Sequence, residues 1–195
     1  MSITQISVQN VTPQDRRFFV LAQKFNVDQV NSIVETAWRT MLLTTGEFGY
    51  GAYSLSTPQL AARSLDAAIE HQLQLVDAPL GSAWTFGDQD GVPSLSQSGG
   101  QAPPDGVQCQ NATAGSAEIG LYNDYASLGI EIVVAPNFNV LLQPTNRLYF
   151  YASVAVVDPQ QPIVIEGEVG EAMVGGSALN AQLLLEGSTL KWSFS

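Results

Sequence analysis

Apolar and polar positions along this chain follow two different periods, and the change falls near its middle. In the first part, Val27, Val30, Ile33, Val34, Ala37, Trp38, Met41 and Leu42 recur at spacings of three and one, the stripe of a one-sided helix over 27–43. Asn26 offers an N-cap, with Gln29 three residues on as in a capping box. A second helix is expected to start at Ser56-Thr57-Pro58, with Leu60, Ala61, Ser64, Leu65, Ala68, Ile69 and Leu73 on one face. Ahead of them, residues 2–11 alternate weakly enough for an edge strand, and Phe18–Ala22 reads as a short buried strand.

From residue 107 onward the period is two. Residues 107–112, 117–122, 127–134, 140–143, 147–157, 163–169, 181–186 and 189–194 read as strands. Turn signals at Asn123-Asp124, Pro136-Asn137, Pro144-Thr145-Asn146, Asp158-Pro159 and Glu186-Gly187 separate them. The 147–157 stretch is apolar on both faces and is expected at the centre of a sheet. Spacings of about 10 residues favour a meander or sandwich over crossover units. No internal repeat is legible in the linear order. The expected fold is therefore α+β: an antiparallel sheet or sandwich in the C-terminal half, with two amphipathic helices packed on it. The expected organisation is one domain, 1–195. It comprises a helical part over 1–76, a long Gly/Pro/Ser-rich loop or arm over 77–106, and a β-rich part over 107–195.

Composition narrows the partners. Only 13% of the 195 residues are charged, about half the usual share, and Ser, Thr, Asn and Gln make up 54 of them, so the surface is polar but largely neutral. Seven basic against 18 acidic residues give a formal charge of −11, and the only lysines are Lys24 and Lys191. A clustered basic face for phosphate is missing, which argues against a nucleic-acid partner, and anionic membranes would repel the chain. Met1–Gln5 lacks the features of a secretory leader and no apolar run suits a spanning helix. The expectation is cytoplasmic synthesis without a signal peptide, with the final location open.

Candidate chemistry is sparse. Cys109 is the single cysteine and reads as a small buried hydrophobe. His71, the single histidine, would have to serve any histidine-dependent triad. Asp88-Gln89-Asp90-Gly91 resembles the start of a calcium loop, but Val92 and Gly99 stand where ligands are needed. Glu166 and Glu168 would share one strand face close to Glu171, as a carboxylate pair or a charged edge. Asn111-Ala112-Thr113 matches a glycosylation sequon. Glycines 46, 49 and 51 interleave with Phe48, Tyr50 and Tyr53, as a binding loop or as a connection with rings packed beneath the helices. No residue is assigned a catalytic, cofactor or metal role.

Three functions compete on this reading. The first is a non-enzymatic structural protein that self-assembles into a homo-oligomer, particle or filament, because lysine is depleted from contacted surfaces. The second is a carbohydrate- or lipid-binding, membrane-active module with Phe48, Tyr50, Trp84 and Phe86 as its platform. The third is a hydrolase using the carboxylates of 166–171.

Overall fold

The computed structural model describes residues 3–14, 17–27, 33–35, 39–54, 57–65, 73–122, 129–153 and 166–195. Every regular element among them is a β-strand. The α+β expectation is thus overturned: the described protein is all-β. Where a helix was expected over 27–43 lie the end of β2 (Arg17–Val27), β3 (Ile33–Glu35) and β4 (Arg39–Leu43). Where the second was expected lies β6 (Gln59–Ser64), with Leu65 and Leu73 exposed and residues 66–72, His71 included, outside the described residues. The physical reason is in the residue types. Val27, Ile33, Val34 and Thr40 are β-branched, a residue type that favours a pleated strand, and a short apolar run satisfies either period. In β6, Leu60 and Ala62 face the core while Ala61 on the other face is buried as well.

The strands group into two compact units interleaved along the chain: Met1–Lys24 with Thr36–Ser56 and Asn146–Ser195, and Phe25–Glu35 with Thr57–Thr145. In the first unit, β1 (Ile3–Asn10) pairs in parallel with β15 (Ala178–Glu186) and antiparallel with β5 (Phe48–Ser54), while β16 (Thr189–Phe194) flanks β15. Its other sheet has the order β4, β2, the later half of β13 (Asn139–Ser153), and β14 (Glu166–Met173). Ile6, Val8, Leu43, Leu148, Phe150, Ala181 and Leu183 fill its core. Around Trp192 the rings of Phe19, Phe150 and Phe194 stand at 5.7, 5.4 and 6.2 Å.

In the second unit, β10 (Val107–Asn111) pairs in parallel with β8 (Ser82–Gln89) and antiparallel with the early half of β13, while β9 (Val92–Gln101) flanks β8. Its other sheet runs β3, β12 (Gly129–Val134), β11 (Ala117–Tyr122), β6, β7 (Gln74–Asp77). Leu60, Phe86, Cys109, Ile119, Leu121, Ile132 and Leu142 form its core. The expected arm over 77–106 is mostly the β8–β9 hairpin. Asp90 (φ 55°) and Gly91 (φ 81°) make its two-residue turn between the paired Gln89 and Val92. The expected strands over 140–143 and 147–157 are joined in β13, which runs straight through the Pro144-Thr145-Asn146 turn signal.

An identical corner ends β1 and β10. Asn10 and Asn111 are fully buried, and each side-chain oxygen accepts from the backbone N–H (3.1 Å) and hydroxyl (2.7 Å) of the threonine two residues on. The Asn10 amide donates to Leu43 O (3.1 Å) and Gln14 O (3.4 Å), and the Asn111 amide to Val134 O and Gly115 O, both at 2.9 Å. The Asx-Thr pair thereby closes the end of the sandwich without leaving a buried polar atom unmatched.

Candidate functional site

Strand alternation decides what each sheet face carries. In β1 the buried Ile6 and Val8 point inward, so Gln5, Ser7 and Gln9 point outward; in β5, Gly49, Gly51 and Tyr53 are buried and Phe48, Tyr50 and Ala52 face out. Pairing registers then align two rows across four strands. One reads Phe48, Gln9, Gln182, Ser193; the other begins Tyr50, Ser7, Asn180 and continues to Ser195, whose backbone pairs with Asn180. None of these eight side chains is charged. The polar members hold one another: Ser7 donates to Asn180 at 2.7 Å and Gln182 to Gln9 at 2.9 Å. Lys191, on β16, is tied to Glu186 at 3.1 Å.

At the edge of this neutral ladder stand the two rings. Phe48 is 48% and Tyr50 66% exposed, with near-parallel planes (15°) and centroids 6.3 Å apart. Their backbone is held by the Thr44–Glu47 turn, where the Glu47 carboxylate accepts from the Thr44 N–H and hydroxyl; these bonds keep its pKa below the ordinary value. Gly49, between the rings, faces inward. A Cβ there would crowd the Met41 sulfur and the Leu43 side chain, which pack beneath the strand. The Gly/aromatic segment is therefore a strand, and its rings lie neither in a loop nor beneath helices. Of the four aromatic residues expected to form a platform, Phe86 is in the core, and Trp84 packs against that core with its indole N–H on Ser82.

A second polar cluster, which the sequence reading missed, lies on the outer face of β6, β11 and β12. Arg63 meets Glu118 at 2.6 Å, and the Tyr122 hydroxyl donates to Glu131. Burial raises the Glu131 carboxyl above its ordinary range, the Tyr122 bond opposes this, and a hydrogen bond with Glu118 adds to it. Burial, then the bond to Glu131, also raises the Tyr122 hydroxyl. The pieces are four residues scattered over 63–131, and only the register of β6, β11 and β12 brings them together.

The remaining sequence candidates are dispersed. Asp88 and Asp90 sit at the exposed end of the β8–β9 hairpin, and among the described residues no group of three or more His, Cys, Asp or Glu is placed to hold a metal. Glu166 and Glu168 lie on β14, whose strand partner is β13, and Glu171 pairs with Arg147 at 2.6 Å. Cys109 is buried in the core, where desolvation pushes its thiol up to about 12. Asn111 has its amide fully engaged within the fold, so the sequon is not open to glycosylation in the folded protein. Among the described residues no helix is long and apolar enough to cross a membrane. Neither the protein-family models, nor the curated proteins, nor the solved structures yield a match to this chain.

Proposed function

We propose that this is a non-catalytic binding protein for uncharged carbohydrate, which lies on the outer face of the β16–β15–β1–β5 sheet. The observation that carries the reading is the exposed Phe48–Tyr50 pair at the head of two rows of Ser, Asn and Gln. A pyranose ring offers a face of weakly positive C–H groups and a rim of hydroxyls. Aromatic faces take the first, and side-chain amides and hydroxyls exchange bonds with the second. The absence of charge from these rows matches a neutral glycan better than an anionic one, which a chain of charge −11 would also repel.

The second unit supports this from within the molecule. Its equivalent sheet places Asn139 and Leu141 where the first has Phe48 and Tyr50, beside Gln110, Gln108, Thr85 and Ser96. That sheet forms without surface rings, so folding does not require them. The competing proposal, self-assembly into a homo-oligomer, rests on the neutral, lysine-poor composition, the many strands and an expected arm over 77–106 that is mostly the β8–β9 hairpin.

The test is retention on a panel of immobilised neutral and anionic polysaccharides, with light scattering on the same samples. Retention by neutral glycans that Tyr50→Ala reduces at least tenfold is expected. Equal retention of wild type and variant would reject the site. A large regular assembly with no glycan retention would favour self-assembly.

A further inference from the structure

We infer that the chain consists of two copies of one eight-stranded sandwich, the second joined in circularly permuted order. Taken from β6, the second unit runs β6, β7, β8, β9, β10, β11, β12 and the early half of β13. The first unit gives the same series as the later half of β13, β14, β15, β16, β1, β2, β4 and β5. Among the described residues the matched strands have matched partners except that β3 adds one strand beside β12 with no counterpart beside β4: β15–β1–β5 repeats β8–β10–β13 with one parallel and one antiparallel pairing, and β4–β2 repeats β12–β11.

The correspondence holds residue by residue. Asn10 pairs with Leu183, and Val11 donates to Leu183 O; Asn111 pairs with Phe86, and Ala112 donates to Phe86 O. Asn10 N–H donates to Glu47 O and its carbonyl accepts from Gly46, just as Asn111 donates to Phe138 O and accepts from Asn137. Gly46 and Asn137 both have positive φ, 84° and 64°. The two Asn-x-Thr side-chain corners complete the match. A shared β preference would reproduce alternation, but not seven equivalent bonds around one buried asparagine. Permutation also explains why no repeat shows in the linear sequence: the first copy begins in mid-series and ends at the chain's other end.

One consequence is geometric. In the second unit eight residues, 99–106, link Ser98 at β9 to Val107 at β10. The equivalent positions in the first unit are Ser195 and Ile6, and Met1–Gln5 already supply five of those eight, leaving a link of three residues. The other consequence rests on the carbohydrate reading. The β9–β8–β10–β13 face is a twin of the binding face that lacks its rings, so each chain carries one site.

The deciding experiment joins Ser195 to Met1 through three residues and reopens the chain between Gln101 and Ala102, the equivalent break in the other copy. A cyclic chain with the same link and no break is the control. The permuted chain is expected to keep the strand circular-dichroism spectrum and a cooperative melt within about 5 °C of the parent. A permuted chain that does not fold while the cyclic control does overturns the duplication, and a cyclic control that does not fold overturns the three-residue link the duplication requires. Independently, Asn139→Phe with Leu141→Tyr is expected to raise glycan stoichiometry from one to two. Unchanged stoichiometry with intact parent binding refutes the twin face, whereas a parent that binds no glycan refutes the carbohydrate reading and leaves the permutation result standing.

Discussion

Replacing Asn111 by alanine removes the side chain that satisfies four groups at the end of β10. Two of them, Val134 O and the Thr113 N–H, belong to buried residues; the Thr113 hydroxyl retains Gly115 O at 3.0 Å, and Gly115 itself is half-buried. Each buried polar group left unmatched costs about 1–3 kcal/mol, so the loss is expected at about 3–5 kcal/mol. That is a large part of the ~5–15 kcal/mol that holds a typical domain together. Asn111→Asp separates the roles of the two amide atoms. It keeps an acceptor for Thr113 but turns an oxygen toward Val134 O and Gly115 O. Burial, with the second oxygen facing two carbonyl oxygens, raises that aspartate's folded pKa, so stability is retained below the unfolded value of ~3.9 and lost as pH rises through the folded one. Urea unfolding of both variants at pH 4 and pH 7 measures this, with Asn10→Ala expected to cost slightly less because its bond to Gln14 O is 3.4 Å. A cost below about 1 kcal/mol for Asn111→Ala would refute the corner as a structural lock.

Glu131→Gln should flatten the dependence of stability on pH. Because the folded Glu131 pKa is raised, its stabilising contribution is present below the unfolded carboxylate pKa and is lost as pH rises through the folded value. The variant should therefore gain urea midpoint on the parent as pH rises above the ordinary carboxylate pKa, and a relative loss would contradict the burial of Glu131 as the dominant cause. Gly170→Ala would place a Cβ 2.6 Å from the Trp192 ring and 2.8 Å from Phe194, so the strand must shift at a cost of about 1–3 kcal/mol; an unchanged denaturation midpoint would show that the ring cluster yields freely. Cys109 should resist thiol reagents in the native protein at pH 8 and react only on unfolding, so stoichiometric native labelling would contradict its burial.

The second half of the fold was legible because its strands have one buried face. Val107, Cys109 and Asn111 alternate with Gln108 and Gln110, and the structure finds β10 there. The helices were misread because Val27–Leu42 carries β-branched residues at spacings compatible with both periods, and tertiary pairing with β2 and β12 decided between them. The 77–106 stretch looked like a loop because serine and glycine dominate β9, yet Gln74 bonds both Pro93 O and the Leu95 N–H, and β8 pairs along β9's length. Of the proposed binding face, Phe48 and Tyr50 were visible as residues. Their partners were not, because Gln9 and Gln182 lie 173 positions apart and meet only through the parallel pairing of β1 with β15.

The most direct test of the carbohydrate face is isothermal titration of a neutral oligosaccharide taken from the best-retained polysaccharide. The parent is compared with the double variant Phe48→Ser, Tyr50→Ser, each first shown to have the same denaturation midpoint. One site per chain is predicted for the parent, with at least a tenfold weaker Kd in the variant, about 1.4 kcal/mol. Equal affinity in the two proteins would contradict the account.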